Sequence, residues 1–309
     1  MKTRANGIDI EIEDSGTCPD AQGRPQPVVL LIMGLGMQLT AWPLALVQAL
    51  VDAGYRVVRF DNRDAGLSQR FDTLGNPWVL GAVLKYRLGW RIRPPYRLHD
   101  MARDALGVLD ALQIDRAHVV GASMGGMIAQ RLALLAPDRL ISLTSLMSSS
   151  GARGLPEATS DNTRLLIRRP ADKGIEAAIE NLVGVFQAIG SPAFPTAEAD
   201  LRDLVGAAVR RNLNPAGVLR QLVAILADGS RAEALADVQV PTLVVHGTAD
   251  PLVPFACGQD TARRIPGARL AGIDGMGHDL PPGVIAPLLA LLTAHFASTP
   301  FVNSPKIES

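Results

Sequence analysis

The chain has 309 residues, 48% of them hydrophobic, and its 30 basic and 30 acidic side chains cancel. That length and composition describe a globular protein able to bury a large core, and they exclude a disordered chain. The balanced charge leaves no basic excess to collect nucleic-acid phosphates, so no nucleic-acid partner is expected.

The first half alternates strand and helix signals. Residues 8–13, Ile-Asp-Ile-Glu-Ile-Glu, have period two and read as an edge strand. Residues 27–33 are a continuous β-branched and apolar run, the pattern of a strand covered on both faces. A helix over 43–52 stops at Gly54, and 55–60 form another strand. Residues 72–95 depart from this rhythm, with Trp78, Val79, Leu80, Val83, Leu84, Tyr86, Leu88 and Trp90 interleaved with Lys85, Arg87, Arg91 and Arg93. The segment reads as a surface helix that packs its apolar face on the body. The same pattern is compatible with an acyl pocket or a lipid-facing rim. Helical periodicity returns over 98–112, followed by a strand ending at Val120, a sharp turn, a helix, and a strand over 140–146. Repeated βα units with buried strands predict a mostly parallel, doubly wound α/β sheet with its site at the carboxyl ends of the strands.

The rhythm breaks after Met147. Amphipathic stretches near 174–189, 197–212 and 215–227 predict a helical lid over residues 151–236, inserted into a core of residues 1–150 and 237–298. The sheet resumes with strands over 240–246 and 268–273, and a last helix covers about 283–297. The tail, 299–309, is expected to fray.

The motif that carries chemistry is Gly121-Ala122-Ser123-Met124-Gly125, a serine between glycines where a strand turns into a helix. Such a turn lifts the hydroxyl above the sheet edge, and the helix N-terminus behind it favours developing negative charge. A serine hydroxyl needs a general base, and the base needs an acceptor to fix its tautomer. The order Ser, Asp, His places the acid after a late strand and the base after the next one. Asp250, in the loop after the strand ending at Val245, and His278, in the glycine-rich loop after Ile273, meet that order. Turn residues and loop histidines are common singly, but the three in order, each at a strand's carboxyl end, mark a catalytic set. The backbone N–H groups of Met124 and Leu35, the latter in Met33-Gly34-Leu35-Gly36-Met37, are the candidate oxyanion donors. Gly34-Leu35-Gly36 is a poor dinucleotide fingerprint, since Leu39 stands where the third glycine belongs. His118 and His246 are read as structural residues in or at the end of strands. His99 and His295 lie on helices. No metal or cofactor is expected.

These motifs resemble the α/β-hydrolase superfamily over almost the whole chain. Asp61-Asn62-Arg63-Asp64-Ala65-Gly66-Leu67-Ser68 resembles the family's Asp-x-Arg-Gly-x-Gly-x-Ser segment, which braces the site. The loop at Gly34 and the elbow at Ser123 resemble the esterase branch of aclacinomycin methylesterase-like hydrolases. Many members have His-Gly where this chain has Met33-Gly34, so the bracing by that histidine side chain is missing. The resemblance implies a serine carboxylesterase acting on small to medium, mostly uncharged esters, with a small-molecule ester as its partner. Lactonases, C–C hydrolases and cofactor-free perhydrolases share the scaffold. A non-catalytic ligand-binding protein of this fold is disfavoured by the intact set. Cys18 and Cys257, far apart and without metal-ligand spacing, read as two free thiols of a reducing compartment. With no leader-like apolar stretch and no run of the roughly 20 apolar residues needed to span a bilayer, a cytoplasmic location is expected.

Overall fold

The computed structural model describes residues 1–17, 26–158, 174–229 and 231–299. Among these, the strands are β1 (Lys2–Ala5), β2 (Ile8–Asp14), β3 (Val28–Ile32), β4 (Arg56–Phe60), β5 (Ala117–Ala122), β6 (Leu140–Leu146), β7 (Thr242–Gly247) and β8 (Arg269–Ile273). They form one sheet in the order β1-β2-β4-β3-β5-β6-β7-β8. β1 and β2 pair antiparallel, as do β2 and β4; every later pairing is parallel.

The helices are α1 (Leu44–Asp52), α2 (Val79–Leu88), α3 (Leu98–Ala111), α4 (Met124–Leu135), α5 (Ile175–Ile189), α6 (Glu198–Arg211), α7 (Pro215–Leu226), α8 (Arg231–Ala234), α9 (Phe255–Arg264) and α10 (Pro282–Ala297). Strand β3 shows why the sheet must be covered twice. Leu30 and Ile32 enter a core with Met101 and Val108 of α3 and Ile128 and Leu132 of α4. Val29 and Leu31 enter a second core with Leu46 and Leu50 of α1 and Leu288 and Leu292 of α10. Alternate side chains of a strand point to opposite faces, so an unbroken apolar run requires helices on both. The doubly wound, mostly parallel α/β sheet is therefore as the sequence predicts.

Two expectations need correction. The edge of the sheet is β1, not β2. Asn6 and Gly7 take φ of 48° and 76°, the two-residue turn that closes a tight hairpin, and β1 folds back on β2 through it. The polar residues Lys2, Thr3 and Arg4 hide this strand from any apolar pattern. The helix over 79–88 also differs from expectation, because its large apolar side chains do not pack on the body. Gly81 and Ala82 are buried, whereas Leu80, Leu84 and Leu88 are exposed. Periodicity identifies a stripe but does not say which side of the helix its neighbours will cover.

Between β6 and β7 lie α5, α6 and α7, within a residue or two of the stretches read from the sequence. α5 and α6 share a small core of Ile179, Val183, Leu201, Val205 and Val209, separate from the two cores of the sheet. α7 starts at Pro215, with the Asn214 side chain accepting a hydrogen bond from the Gly217 N–H at 3.1 Å. It is fastened to the body by a buried ion pair, the Arg220 guanidinium donating to both Asp64 oxygens at 2.8 and 2.7 Å. The Tyr96 hydroxyl and the Phe71 N–H also donate to Asp64, each at 2.8 Å, so the buried carboxylate is fully satisfied. No described helix is long and apolar enough to cross a membrane. The expected frayed tail falls, from residue 300 on, outside the described residues, as does Cys18.

Candidate active site

Ser123 occupies the turn between β5 and α4 with φ 55° and ψ −119°. A non-glycine residue in that region stores roughly 1–3 kcal/mol, held here by the surrounding structure. The Ser123 N–H donates to the Leu146 carbonyl at 2.9 Å, and the Ser148 hydroxyl donates to the Ser123 carbonyl at 2.7 Å. The flanking glycines exist for close approach. A Cβ on Gly121 would stand 2.1 Å from the Gly125 carbonyl oxygen, and one on Gly125 would stand 2.0 Å from that of Ile32. Strand, turn and helix therefore touch backbone to backbone.

The structure brings Ser123, His278 and Asp250 together. Ser123 Oγ lies 3.0 Å from His278 Nε2, and His278 Nδ1 lies 2.7 Å from Asp250 Oδ2. The Leu252 and Val253 N–H groups donate to Asp250 Oδ1 at 2.9 and 2.8 Å. Burial raises the pKa of the Asp250 carboxyl, but His278, His246 and these donors outweigh it and hold the value down at about 2. An ionised carboxylate only accepts, so the proton on neutral His278 is assigned to Nδ1, and Nε2 is free to accept from the Ser123 hydroxyl.

His278 is positioned from a distant part of the chain. Its N–H donates to the carbonyl of Ile189, the last residue of α5, at 2.7 Å. The preceding Gly277 N–H donates to Ser191 Oγ at 2.8 Å, and Ser191 in turn donates to Asp279 at 2.5 Å. Burial raises the Asp279 carboxyl above its ordinary value.

The loop after β3 lies against the serine. A Cβ on Gly34 would be 3.1 Å from Ser123 Cβ and 3.6 Å from its Oγ. Among the described residues neither the Leu35 nor the Met124 N–H donates to a protein acceptor. Four anchors hold the loop. Asn62 donates to the Met33 carbonyl at 2.8 Å, the Gly36 N–H donates to Gln221 Oε1 at 2.8 Å, and Gln38 donates to the Ala208 carbonyl at 2.7 Å. The Leu39 N–H donates to Asp61 Oδ1 at 2.7 Å. Asp61 also accepts from the Leu67 N–H and from Arg211 of α6, each at 2.8 Å. The segment 61–68 thus braces the loop, as its resemblance implied. Asn62 and Gln221 of α7 thus support the loop at Met33 and at Gly36.

Gln221 and Ser191 escaped the sequence reading, and no local pattern marks either. Ser148 lies two residues past the end of β6, and no local pattern marks its bond to the Ser123 carbonyl either. The remaining histidines sit apart from Ser123. His246 is fully buried, with Nε2 donating to the Val253 carbonyl at 2.7 Å and lying 3.5 Å from Asp250 Oδ2. His118 stacks on Phe296, and burial, aided by His295 and Arg116, pushes its pKa down to about 3. His295 is buried on α10 and lies 3.3 Å from the Leu143 carbonyl; His99 begins α3. The Cys257 thiol is buried, and burial pushes it up to about 11.

Comparison with known proteins identifies the family. The family model described as alpha/beta hydrolase fold matches residues 27–281. Rhodomycin D methylesterases of Streptomyces sp. (strain C5) and Streptomyces peucetius are each 31% identical over 294 residues, covering 86% of this chain and 90% of theirs. Among solved structures, the meta-cleavage product hydrolase from Pseudomonas fluorescens IP01 superposes with a TM-score of 0.73 at 19% identity, covering 97% of this chain and 98% of its own. The chain belongs to the α/β-hydrolase family.

Proposed function

We propose that the protein is a serine carboxylesterase in which Ser123, His278 and Asp250 form a catalytic triad. The observation that carries this reading is the hydrogen-bonded chain from Ser123 Oγ through His278 to Asp250, at 3.0 and 2.7 Å. Ser123 Oγ attacks the ester carbonyl while His278 Nε2 takes its proton. The carbonyl oxygen becomes an oxyanion, held by the Leu35 and Met124 N–H groups, each such donor being worth about 3 kcal/mol in the transition state. The tetrahedral adduct collapses, the alcohol leaves with the proton from His278, and Ser123 carries the acyl group. Water, deprotonated by His278, then releases the acid and restores the serine.

α5, α6 and α7 are proposed to form a lid that excludes water and shapes the acyl pocket. Their apolar residues favour small to medium, mostly uncharged esters. The methylesterases among the relatives make methyl esters the first substrates to test. A fluorophosphonate should label wild-type protein stoichiometrically at Ser123 and leave Ser123→Ala unlabelled. The same substitution should abolish hydrolysis of short p-nitrophenyl and methyl esters. Full activity in a clean preparation of Ser123→Ala would overturn the proposal.

A further inference from the structure

Residues 77–97 carry Lys85, Arg87, Arg91, Arg93 and Arg97 and no acidic residue, in a chain whose charges balance overall. The same segment holds two of the chain's three tryptophans, Trp78 and Trp90. Both face outward, at 75% and 62% exposure. Leu80, Leu84 and Leu88 follow one another at four-residue intervals, which places them in one stripe along α2. Leu80 is 72% exposed and the other two are more than half exposed. The side of α2 that is buried carries Gly81 and Ala82, and the helix packs on α7. This inverts the usual surface helix, which turns its large apolar side chains inward. A continuous exposed apolar stripe marks a surface built to meet something.

The charge around the stripe says what it meets. Lys85, Arg87, Arg91 and Arg93 form no ion pair among the described residues. Beyond the C-terminal end of α2 lies a groove of about 520 Å³, lined by Tyr86, Trp90, Arg91, Arg97, Arg153 and Arg264, with Glu233 as its one described acidic residue. A second copy of this chain, related by a two-fold axis, would set these cations against each other. An anionic bilayer surface offers both parts of the complement, apolar depth for the stripe and phosphates for the cations.

We propose that α2 and its flanks dock this enzyme on anionic phospholipid surfaces. Trp78, Trp90 and the leucine stripe enter the boundary between headgroups and acyl chains, where tryptophan rings are favoured. The lysine and arginine stems lie along that boundary with their charges among the phosphates. α7 stands between this dock and the Gly36 loop, since it packs on α2 and its Val218 and Gln221 touch Gly36. The lipid surface is therefore one helix removed from the loop that faces Ser123.

Vesicle flotation tests the proposal without any turnover, so it stands or falls separately from the esterase reading. Wild-type protein and Ser123→Ala should both float with vesicles of mixed phosphatidylglycerol and phosphatidylcholine. Binding to phosphatidylcholine alone should be about tenfold weaker, and added salt should weaken the mixed-vesicle binding. Trp78→Ser/Trp90→Ser should lower the partition by about tenfold or more while hydrolysing a soluble ester at the wild-type rate. Lys85→Glu/Arg91→Glu/Arg93→Glu should remove the preference for phosphatidylglycerol. Wild-type protein that fails to float, or variants that float as it does, would overturn the proposal. So would analytical ultracentrifugation showing self-association that Trp78→Ser/Trp90→Ser abolishes, because the stripe would then be a contact between copies.

Discussion

Replacing Gln221 with methionine keeps the length and approximate volume of the side chain and deletes both of its polar ends. The fully buried amide accepts from the Gly36 N–H at 2.8 Å and donates to the Arg63 carbonyl at 2.8 Å. A group left unsatisfied away from water costs about 1–3 kcal/mol. Gly36 is only half-buried, so the expected loss of unfolding free energy is about 2 kcal/mol. The kinetic effect is distinct. Losing an oxyanion donor outright lowers kcat by about 100- to 1000-fold. The loop keeps its anchors at Asn62, Gln38 and Asp61, so the Leu35 N–H, the proposed oxyanion donor, is loosened, not removed, and a fall in kcat of about 10- to 100-fold is expected. KM should move by no more than about twofold, because the contact acts through a group that matters most in the transition state. Steady-state hydrolysis of p-nitrophenyl acetate, normalised to the fraction of fluorophosphonate-reactive sites, measures the kinetic effect. Urea unfolding measures stability separately. A variant that loses stability but keeps wild-type kcat would refute the reasoning, since Gln221 would then hold the fold and not the loop's aim.

Asp250→Asn should leave the fold intact and lower kcat by about 10⁴, because the amide no longer holds the proton on His278 Nδ1. The same pair reports on acid stability. The Asp250 carboxyl lies at about 2 in the folded protein, below its ordinary 3.8. Its ionised form therefore stabilises the fold by about 2 kcal/mol above the ordinary value, and that contribution fades as pH falls from about 4 toward 2. Denaturation of wild type and Asp250→Asn should show a gap that is constant near neutrality and closes in that window. Gly125→Ala drives a Cβ to 2.0 Å from the Ile32 carbonyl oxygen, and a destabilisation of about 3 kcal/mol by urea unfolding is expected. Arg220→Met leaves Asp64 buried without its partner and should cost about 3–5 kcal/mol, much of it restored by adding Asp64→Asn; equal losses in the single and double variants would contradict this.

Ser123, His278 and Asp250, the proposed nucleophile, base and acid, could be picked from the sequence because each sits at the carboxyl end of its own strand, and the elbow at Ser123 announces itself locally. The helices α5, α6 and α7 could be read because their apolar residues keep a 3.6-residue period. What supports the site could not be read. Gln221 meets Gly36 across 185 positions of sequence, and Ser191 meets Gly277 across 86. A polar side chain that finds its partner only after folding leaves no trace in spacing or composition. The outward stripe of α2 was hidden for a related reason. The pattern of 79–88 defines two sides, and only the packing against α7 decides that the glycine and alanine side is the one covered.

The joins between the interposed helices and the sheet limit how the enzyme can be re-engineered. Residues 174–229 look exchangeable, since they are contiguous and α5 and α6 carry their own small core. Yet they supply the acceptor for Gly36, the hydroxyl for Gly277 and the carbonyl for the backbone of His278. A chimera that imports another enzyme's helices to change substrate choice must therefore carry a glutamine at 221, a serine at 191 and the chain path at 189–190. Without them the graft leaves the backbone of His278, the Gly277 N–H and the loop at Gly36 without their partners.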